Sequence, residues 1–368
     1  MTAAAVAFGG GTLAATMAGT SSAAVLATTT QQDQAAAGAA GSGDYVVLYE
    51  RGASKAAAKR AIERAGGRIT RANGKVGYAL VKASDPQFAA RVEASDAIVG
   101  AARNRIIGRA PQPLRPDGVT MKDDVERLSS ERAALKGSGG RGDAKSAQEP
   151  LAEPLANLQW DMRQIGATPQ GSYAESQGKR RVKVGIIDTG VDGHHPDIAP
   201  NFSRRLSANF TVDIPFVDGE CEEADCVDPP DVDDNGHGTH VASTVGSPIN
   251  GLGMAGVAPK VKLINIRAGQ DSGYFFLAPT LLALTYAGDI GVDVVNMSYY
   301  VDPWLFNCVD NPADSPAERT EQRVIRQTVQ RAVSYAMNHG VMPIAAEGNG
   351  ATDLGNPEID ATSPDFPP

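Results

Sequence analysis

Aromatic residues are scarce in this chain of 368 residues: Phe, Trp and Tyr make up only 5% of it, whereas glycine occurs 40 times. Apolar residues account for 42% of the sequence, enough to bury a core in two or three folded units. Few rings together with abundant glycine are typical of a loop-rich α/β enzyme. Nothing in the composition suggests nucleic-acid binding.

Cysteine is also scarce, with three in the chain. Cys221 and Cys226 bracket a short acidic stretch, a spacing compatible with a small loop disulfide in a secreted protein. Cys308 is then left over. Its partner lies beyond residue 368, or Cys308 is a buried free thiol.

Basic residues are missing from the N-terminal segment, where none precedes Arg51. Residues 1–28 are small and weakly apolar and end in an Ala-Val-Leu-Ala sequence like a signal-peptidase site. The apolar run is too short and too rich in glycine to span a membrane as a helix. Although a signal peptide normally begins with Lys or Arg, we predict a signal peptide at residues 1–28, a linker at residues 29–43, and a secreted protein.

Charge is unevenly distributed along the chain. Residues 51–109 contain 13 Lys or Arg against 4 Asp or Glu, so this segment has a net charge near +9, while the whole chain has −9. Opposite charges on two parts of one chain predict that these parts dock on each other. The alternative is that the basic segment is simply solvated.

Residues 44–109 have the pattern of a small separate unit. Strands are predicted at 44–49, 76–81 and 98–107, and helices at 56–65 and 88–94. We expect a β-α-β-β-α-β order and a small ferredoxin-like α+β sandwich. Residues 110–155 hold Pro, Gly, Ser and mixed charges without sustained apolar periodicity, which predicts a flexible linker.

Three polar side chains stand where apolar or small-residue segments begin or end. Asp188 and Asn349 each follow an apolar run that is predicted to be a buried parallel strand, and His237 lies between two glycines where a polar loop leads into a helix. Such an Asp can orient a His, the His can transfer protons near neutral pH, and the Asn amide can donate a hydrogen bond to an oxyanion. The plainer alternatives are that Asp188 caps a turn and that His237 is incidental to a helix start.

These segments, IIDTGVDGHHPDI, NGHGTHVAS and AAEGN, resemble in this order the subtilisin-like serine peptidases (subtilases). The resemblance covers residues 156–368. It implies a three-layer α/β/α domain around a parallel sheet, with Asp188 and His237 as members of a catalytic triad and Asn349 as the oxyanion donor. The family's serine lies further downstream in a Gly-Thr-Ser-Met-like motif, which this sequence lacks. We therefore expect a partial catalytic domain, an inactive fragment, and a serine beyond residue 368.

The resemblance also implies substrate-binding residues. The segment with Ser272 and Gly273 is similar to the family's edge strand, whose backbone pairs with an extended peptide. Ser298 and Tyr299 follow a strand that leads to the family's primary specificity pocket. At this point the family usually has a Leu-Gly-Gly-like run, and Tyr299-Tyr300 replaces it here.

Residues 44–109 resemble the inhibitor-type (I9-like) propeptides that precede subtilases. The resemblance implies that this unit assists folding and blocks the cleft until it is cleaved; the alternative is an unrelated ferredoxin-like module. The expected partners are polypeptide substrates and the chain's own propeptide docked on the catalytic domain, with no membrane after export. We expect a secreted monomer and no required cofactor.

Residues 218–234 contain nine Asp or Glu and no Lys or Arg. This segment either binds a structural Ca²⁺, which prefers oxygen ligands, or is a solvated insertion. The alternatives to a peptidase are an inactive pseudo-peptidase or protease-inhibitor-like binding protein, and a calcium-binding surface protein. A Gly-Thr-Ser-Met-like motif in the sequence that follows residue 368 would favour the peptidase.

Overall fold

The computed structural model describes residues 43–110, 153–299 and 315–346. Asn349, Cys308 and the predicted signal peptide lie outside these ranges. Among the described residues, no helix combines the length and the apolar character needed to cross a membrane.

The first range forms a four-stranded antiparallel sheet with two helices, in the β-α-β-β-α-β order that the sequence predicts. The elements are β1 (Asp44–Tyr49), α1 (Lys55–Arg64), β2 (Arg68–Asn73), β3 (Tyr78–Lys82), α2 (Phe88–Glu93), β4 (Ile98–Arg103) and β5 (Ile106–Arg109). The order in the sheet is β2-β3-β1-β4. The prediction of a single strand at 98–107 is wrong. This stretch contains two strands, because β5 leaves the four-stranded sheet and pairs in a separate two-stranded sheet.

Helix α1 illustrates how local sequence builds this unit. The hydroxyl of Ser54 accepts a hydrogen bond from the Ala57 N–H at 3.1 Å and caps the helix. Ala61 and Ile62 are buried on the face that packs against the sheet. The chain turns away at Gly66, whose φ of +92° is a left-handed conformation that favours glycine.

The described residues from 153 to 346 are organised around a five-stranded parallel sheet. Its strands are β6 (Lys183–Ile186), β7 (Ala208–Asn209), β8 (Lys262–Arg267), β10 (Val294–Met297) and β11 (Met342–Ala345), and β9 (Tyr274–Phe276) lies outside it. The helices are α3 (Trp160–Gln164), α4 (Ser172–Glu175), α5 (Pro215–Asp218), α6 (His237–Gly246), α7 (Leu277–Ile290) and α8 (Pro316–Asn338). The order in the sheet is β11-β10-β6-β8-β7, which places β6 at the centre.

The helices cover both faces of this sheet. Leu263 of β8 packs with Ala242 of α6, whereas the next residue, Ile264, belongs to the core with Leu281 of α7 and Val324 of α8. Successive strand residues face opposite sides, so a strand that is covered on both faces is apolar along its whole length. The result is the three-layer α/β/α arrangement that the sequence predicts.

The basic N-terminal unit lies against α7, α8 and β9. Strand β5 pairs antiparallel with β9 in a separate two-stranded sheet. Lys75 Nζ lies 2.9 Å from Asp289 Oδ1, and Arg105 Nη1 lies 3.5 Å from Glu321 Oε2. Opposite charges therefore face each other across the contact, although exposed pairs of this kind each stabilise by only about 0–1 kcal/mol.

Candidate active site

Asp188 follows the central strand β6 at the carboxyl end of the parallel sheet. Its side chain is completely buried, and Oδ1 accepts a hydrogen bond from the Thr189 N–H at 2.7 Å. The Asp188 carbonyl accepts hydrogen bonds from the N–H groups of Ala268 and Gly269, both at 3.0 Å. These bonds fix the Asp188 loop against the chain that leaves β8, at the edge where α/β sheets collect their ligands.

His237 is the first residue of α6 and faces Asp188. The preceding Gly236 has φ +89°, which brings the loop into the helix through a conformation that favours glycine. The imidazole Nδ1 lies 2.7 Å from Asp188 Oδ1, and the His237 side chain is 14% exposed. Because a carboxylate oxygen accepts, Nδ1 carries the proton, and Nε2 is left to accept one.

The close approach of these two loops depends on Gly238. A Cβ at this position would lie 2.1 Å from the carbonyl oxygen of Gly190 and 3.0 Å from the Cβ of Asp188. The Gly238 N–H also donates a hydrogen bond to Thr189 Oγ1 at 3.0 Å. The glycine after the histidine therefore lets the helix start pack against the Asp188 loop.

Asp233 joins the same two loops, although no sequence motif singles it out. Its Oδ1 accepts hydrogen bonds from Thr189 Oγ1 at 2.9 Å and from the Gly236 N–H at 3.0 Å. Its Oδ2 accepts hydrogen bonds from the Thr239 N–H at 2.8 Å and from Thr239 Oγ1 at 2.6 Å. Only its position shortly before a helix start could have indicated this role, since Asp commonly caps helices. Within an acidic stretch, that signal does not separate Asp233 from its neighbours.

The hydrogen bond between His237 and Asp188 lies in a buried setting. Burial of the imidazole works to lower the pKa of His237, but the hydrogen bond and charge of Asp188, together with the charge of Asp233, outweigh burial and raise that pKa above its usual value. Burial raises the pKa of Asp188, against the hydrogen bonds from His237 and Thr189. The geometry therefore suits His237 to take a proton at Nε2 while Asp188 stabilises the resulting cation.

Ser272 and Gly273, predicted to bind substrate, lie in the turn before β9. Asp218 Oδ1 accepts hydrogen bonds from the Ser272 N–H at 3.1 Å and from Ser272 Oγ at 2.8 Å. The Gly273 carbonyl accepts a hydrogen bond from the Ala110 N–H at 2.8 Å. The edge that is predicted to pair with a peptide is therefore occupied by the end of the N-terminal unit.

Ser298 and Tyr299 follow β10. Ser298 Oγ donates a hydrogen bond to Asn296 Oδ1 at 2.8 Å. Tyr299 is only 7% exposed, and its ring stacks on Phe275 with the centroids 3.8 Å apart. Their role in binding substrate stays a prediction, as does the oxyanion role of Asn349, which lies outside the described residues.

The disulfide predicted from spacing is present, between Cys221 and Cys226. It closes a short loop inside the acidic segment, and the Cys226 carbonyl accepts a hydrogen bond from the Asp213 N–H at 2.8 Å. This hydrogen bond therefore holds the disulfide loop close to the buried Asp213, which lies shortly before the segment.

Carboxylates of the acidic segment, together with Asp213 and Asp271, converge around a buried arginine, Arg267. Its guanidinium donates to Asp228 at 2.7 Å and also to Asp271. The carboxylate groups whose oxygens lie within 4.8 Å of one another are Asp213, Glu222 and Asp271, and Asp228, Asp234 and Asp271. Burial and the neighbouring carboxylates raise the pKa of Asp213 to about 6 and that of Asp271 to about 7. One arginine does not balance five carboxylates, and oxygen donors of this kind suit Ca²⁺.

Comparison with known proteins agrees with this fold. Residues 179–365, slightly more than half of the chain, match the model of the subtilase family (peptidase S8). The chain belongs to the subtilase family.

Relatives in the family include characterised peptidases. The chain is 31% identical over 208 residues to the thermophilic serine proteinase of Bacillus sp. (strain AK1), covering 51% of this chain and 47% of that protein. It is 36% identical over 126 residues to subtilisin DY of Bacillus licheniformis, covering 34% of this chain and 39% of that protein. The chain thus spans less than half the length of these relatives.

Solved structures show the same fold. The epidermin leader peptide processing serine protease of Staphylococcus aureus matches with a TM-score of 0.58 and 23% identity, covering 85% of this chain and 62% of that one. Fervidolysin from Fervidobacterium pennivorans, a keratinolytic enzyme related to subtilisin, matches with a TM-score of 0.54 and 22% identity, covering 83% of this chain and 40% of that one.

Proposed function

We propose that this chain is part of a secreted serine endopeptidase precursor, which hydrolyses peptide bonds through an acyl-enzyme. The nucleophilic serine would lie in sequence that follows residue 368. The observation that carries the proposal is the 2.7 Å contact between His237 Nδ1 and Asp188 Oδ1 at the carboxyl end of the sheet. Family membership and homologous serine peptidases support the reaction class.

In the proposed mechanism His237 acts as the general base and then as the general acid. Nε2 takes the hydroxyl proton of the serine as its oxygen attacks the substrate carbonyl, and the Asn349 amide stabilises the oxyanion that forms. The C–N bond breaks when Nε2 returns the proton to the leaving amine. Water then repeats these steps on the ester, while Asp188 holds the imidazole in one tautomer throughout.

The proposed substrates are polypeptides that add a strand along Ser272 and Gly273, because backbone pairing tolerates many sequences. Ser298 and Tyr299 would contribute to the neighbouring pocket. We expect the enzyme to work as a monomer, without a cofactor, after export.

Residues 44–109 are proposed to be its propeptide. Support comes from the strand that this unit adds to β9 and from two hydrogen bonds to the helices behind the sheet. Asn104 Oδ1 accepts from the Ala278 N–H at 2.8 Å, at the start of α7 where N–H groups lack helical partners, and Arg331 of α8 donates to the Tyr49 carbonyl at 2.7 Å. A unit bound in this way would assemble with α7 and α8 and cover the edge until it is removed.

A structural Ca²⁺ is proposed for the carboxylates around Asp271. Both carboxylate oxygens of Asp213 are buried and accept no hydrogen bond within the described part of the chain, so a cation would satisfy them. Calcium should raise the Tm over that in EDTA, and Asp213→Asn should reduce this rise. Asp225→Asn, an exposed carboxylate of the same segment, is the control. A Tm that does not respond to calcium would contradict the proposal.

The peptidase proposal is tested with the full-length protein after removal of its propeptide and with a fluorophosphonate probe, which labels an activated serine. The wild type should be labelled, and His237→Ala should lose labelling and peptide hydrolysis. His240→Ala, on the same helix but outside the pair, should keep both. A full-length protein that is folded, freed of its propeptide and yet unlabelled would overturn the proposal and support an inactive pseudo-peptidase.

A further inference from the structure

Strand β5 shows how an extended peptide lies on the edge of β9. The two strands run antiparallel with Arg109 opposite Tyr274, and the Ala110 N–H donates to the Gly273 carbonyl at 2.8 Å. At the other end the Leu277 N–H donates to the Arg105 carbonyl at 3.1 Å. This edge includes the residues proposed to bind substrate, so the side chains of β5 mark positions that substrate side chains would take.

Arg109, the arginine of β5, packs on the aromatic ring of Tyr274. The guanidinium carbon of Arg109 lies 5.1 Å from the centroid of the Tyr274 ring, within the range of a cation–π interaction. Arg109 Nε is buried and has no hydrogen-bond partner in the described structure. The ring face of Tyr274 therefore contacts a guanidinium group whose Nε has no hydrogen-bond acceptor among the described residues.

The surroundings of the ring strengthen its attraction for a cation. Tyr274 packs in an apolar cluster with Phe276, Ile106, Ile214 and Val217, and apolar neighbours keep water away from the contact. Two members of the cluster, Ile214 and Val217, lie just before the acidic segment, whose first residue, Asp218, is held at this edge by its hydrogen bonds to Ser272.

The acidic segment adds a long-range negative electrostatic potential, which attracts cationic groups such as the arginine side chain. Residues 218–234 contain nine Asp or Glu and no Lys, Arg or His. Such a density of one charge beside a cleft raises the local concentration of cationic ligands. The cation–π contact and the negative potential of the acidic segment thus both favour a cationic side chain.

We infer that Tyr274 and the acidic segment form a subsite that selects an arginine side chain of an extended polypeptide substrate, at the position that Arg109 occupies on β9. This inference rests on the proposed peptidase function and narrows its substrate class to arginine-containing polypeptides. Arg109 would be the intramolecular occupant of the subsite.

The first test uses the full-length protein after its propeptide, which includes Arg109, has been removed. Two peptides are compared that differ only at the residue opposite Tyr274, which is arginine in one and its neutral isostere citrulline in the other. We expect kcat/KM to be about tenfold higher for the arginine peptide, the size of a partly desolvated cation–π contact. Tyr274→Leu should abolish this ratio, and Tyr274→Phe, which keeps the ring face, should preserve it. Equal rates for both peptides in the wild type would overturn the subsite.

The second test needs no catalysis and uses the 368-residue chain. Hydrogen exchange at the Ala110 amide reports how firmly β5 lies on β9. Arg109→Gln and Tyr274→Leu should each speed this exchange about tenfold, Arg109→Lys should have a smaller effect, and the double variant should add little to either. Unchanged exchange in Arg109→Gln would overturn the subsite. If the full-length protein cleaves neither peptide after its propeptide has been removed, the peptidase proposal fails, and the exchange result alone decides the subsite.

Discussion

Replacing Gly238 with alanine should separate His237 from Asp188. The new Cβ would lie 2.1 Å from the Gly190 carbonyl oxygen, whereas ordinary contact begins at 3.4 Å. The helix start and the Asp188 loop would therefore have to move apart by about 1.3 Å, which lengthens the 2.7 Å contact between His237 Nδ1 and Asp188 Oδ1 to roughly 4 Å, beyond hydrogen-bonding distance.

The energetic cost follows from the same contacts. Overpacking against backbone costs about 1–3 kcal/mol, and losing a hydrogen bond to a charged group adds about 1.5–3 kcal/mol. We expect the free energy of unfolding to fall by about 3–5 kcal/mol, and the Tm by roughly 10 °C in a domain of this size. Gly246→Ala, on the same helix, is the matched control. Its Cβ would meet only the side-chain ends of Leu263 at 3.0 Å and Val261 at 3.1 Å, which can shift.

Urea denaturation measures the loss of stability, and NMR of ¹⁵N-histidine-labelled protein measures the contact itself. A hydrogen-bonded Nδ1 proton gives a low-field signal, which should be present in the wild type and in Gly246→Ala and absent in Gly238→Ala. If Gly238→Ala keeps this signal and unfolds at the same urea concentration as Gly246→Ala, the steric reasoning is refuted.

Three further predictions concern charge and cross-linking. Asp188→Asn removes the charge that raises the pKa of His237, so the imidazole should titrate at lower pH than in the wild type by NMR; an unchanged midpoint would count against the assigned cause. Reducing the Cys221–Cys226 disulfide frees a short loop and should lower the free energy of unfolding by about 2 kcal/mol, measured by urea denaturation with and without dithiothreitol; equal midpoints would mean that the closed loop contributes nothing. Burial raises the pKa of Asp197 from 3.8 to about 7, so the folded state holds a proton that the unfolded state releases, and this stabilising effect is lost as pH rises through that interval. With EDTA present, unfolding should need less urea at pH 8 than at pH 5, and Asp197→Asn should flatten the difference; a wild type more stable at pH 8 would contradict this sign.

The sequence predicted what depends on short segments. Apolar runs followed by a polar residue located β6 and the Asp188 loop, a glycine-flanked histidine located the start of α6, and close spacing paired Cys221 with Cys226. These features are local because backbone preferences and the burial of a strand act over a few neighbouring residues. The family resemblance rests on the same segments.

Only the tertiary structure decided which distant residues meet. The pairing of β5 with β9, the contact of Arg109 with Tyr274 and the hydrogen bond between Asp233 and Thr189 each join segments that are far apart in the chain. The pairing of β5 with β9 also divides the strand predicted at 98–107. No local pattern distinguishes Asp233 within an acidic stretch, since its role comes from Thr189, which the parallel sheet brings beside it. Sheet order and helix packing are set by the sum of many long-range contacts, and they determine which of several equivalent side chains reaches the site.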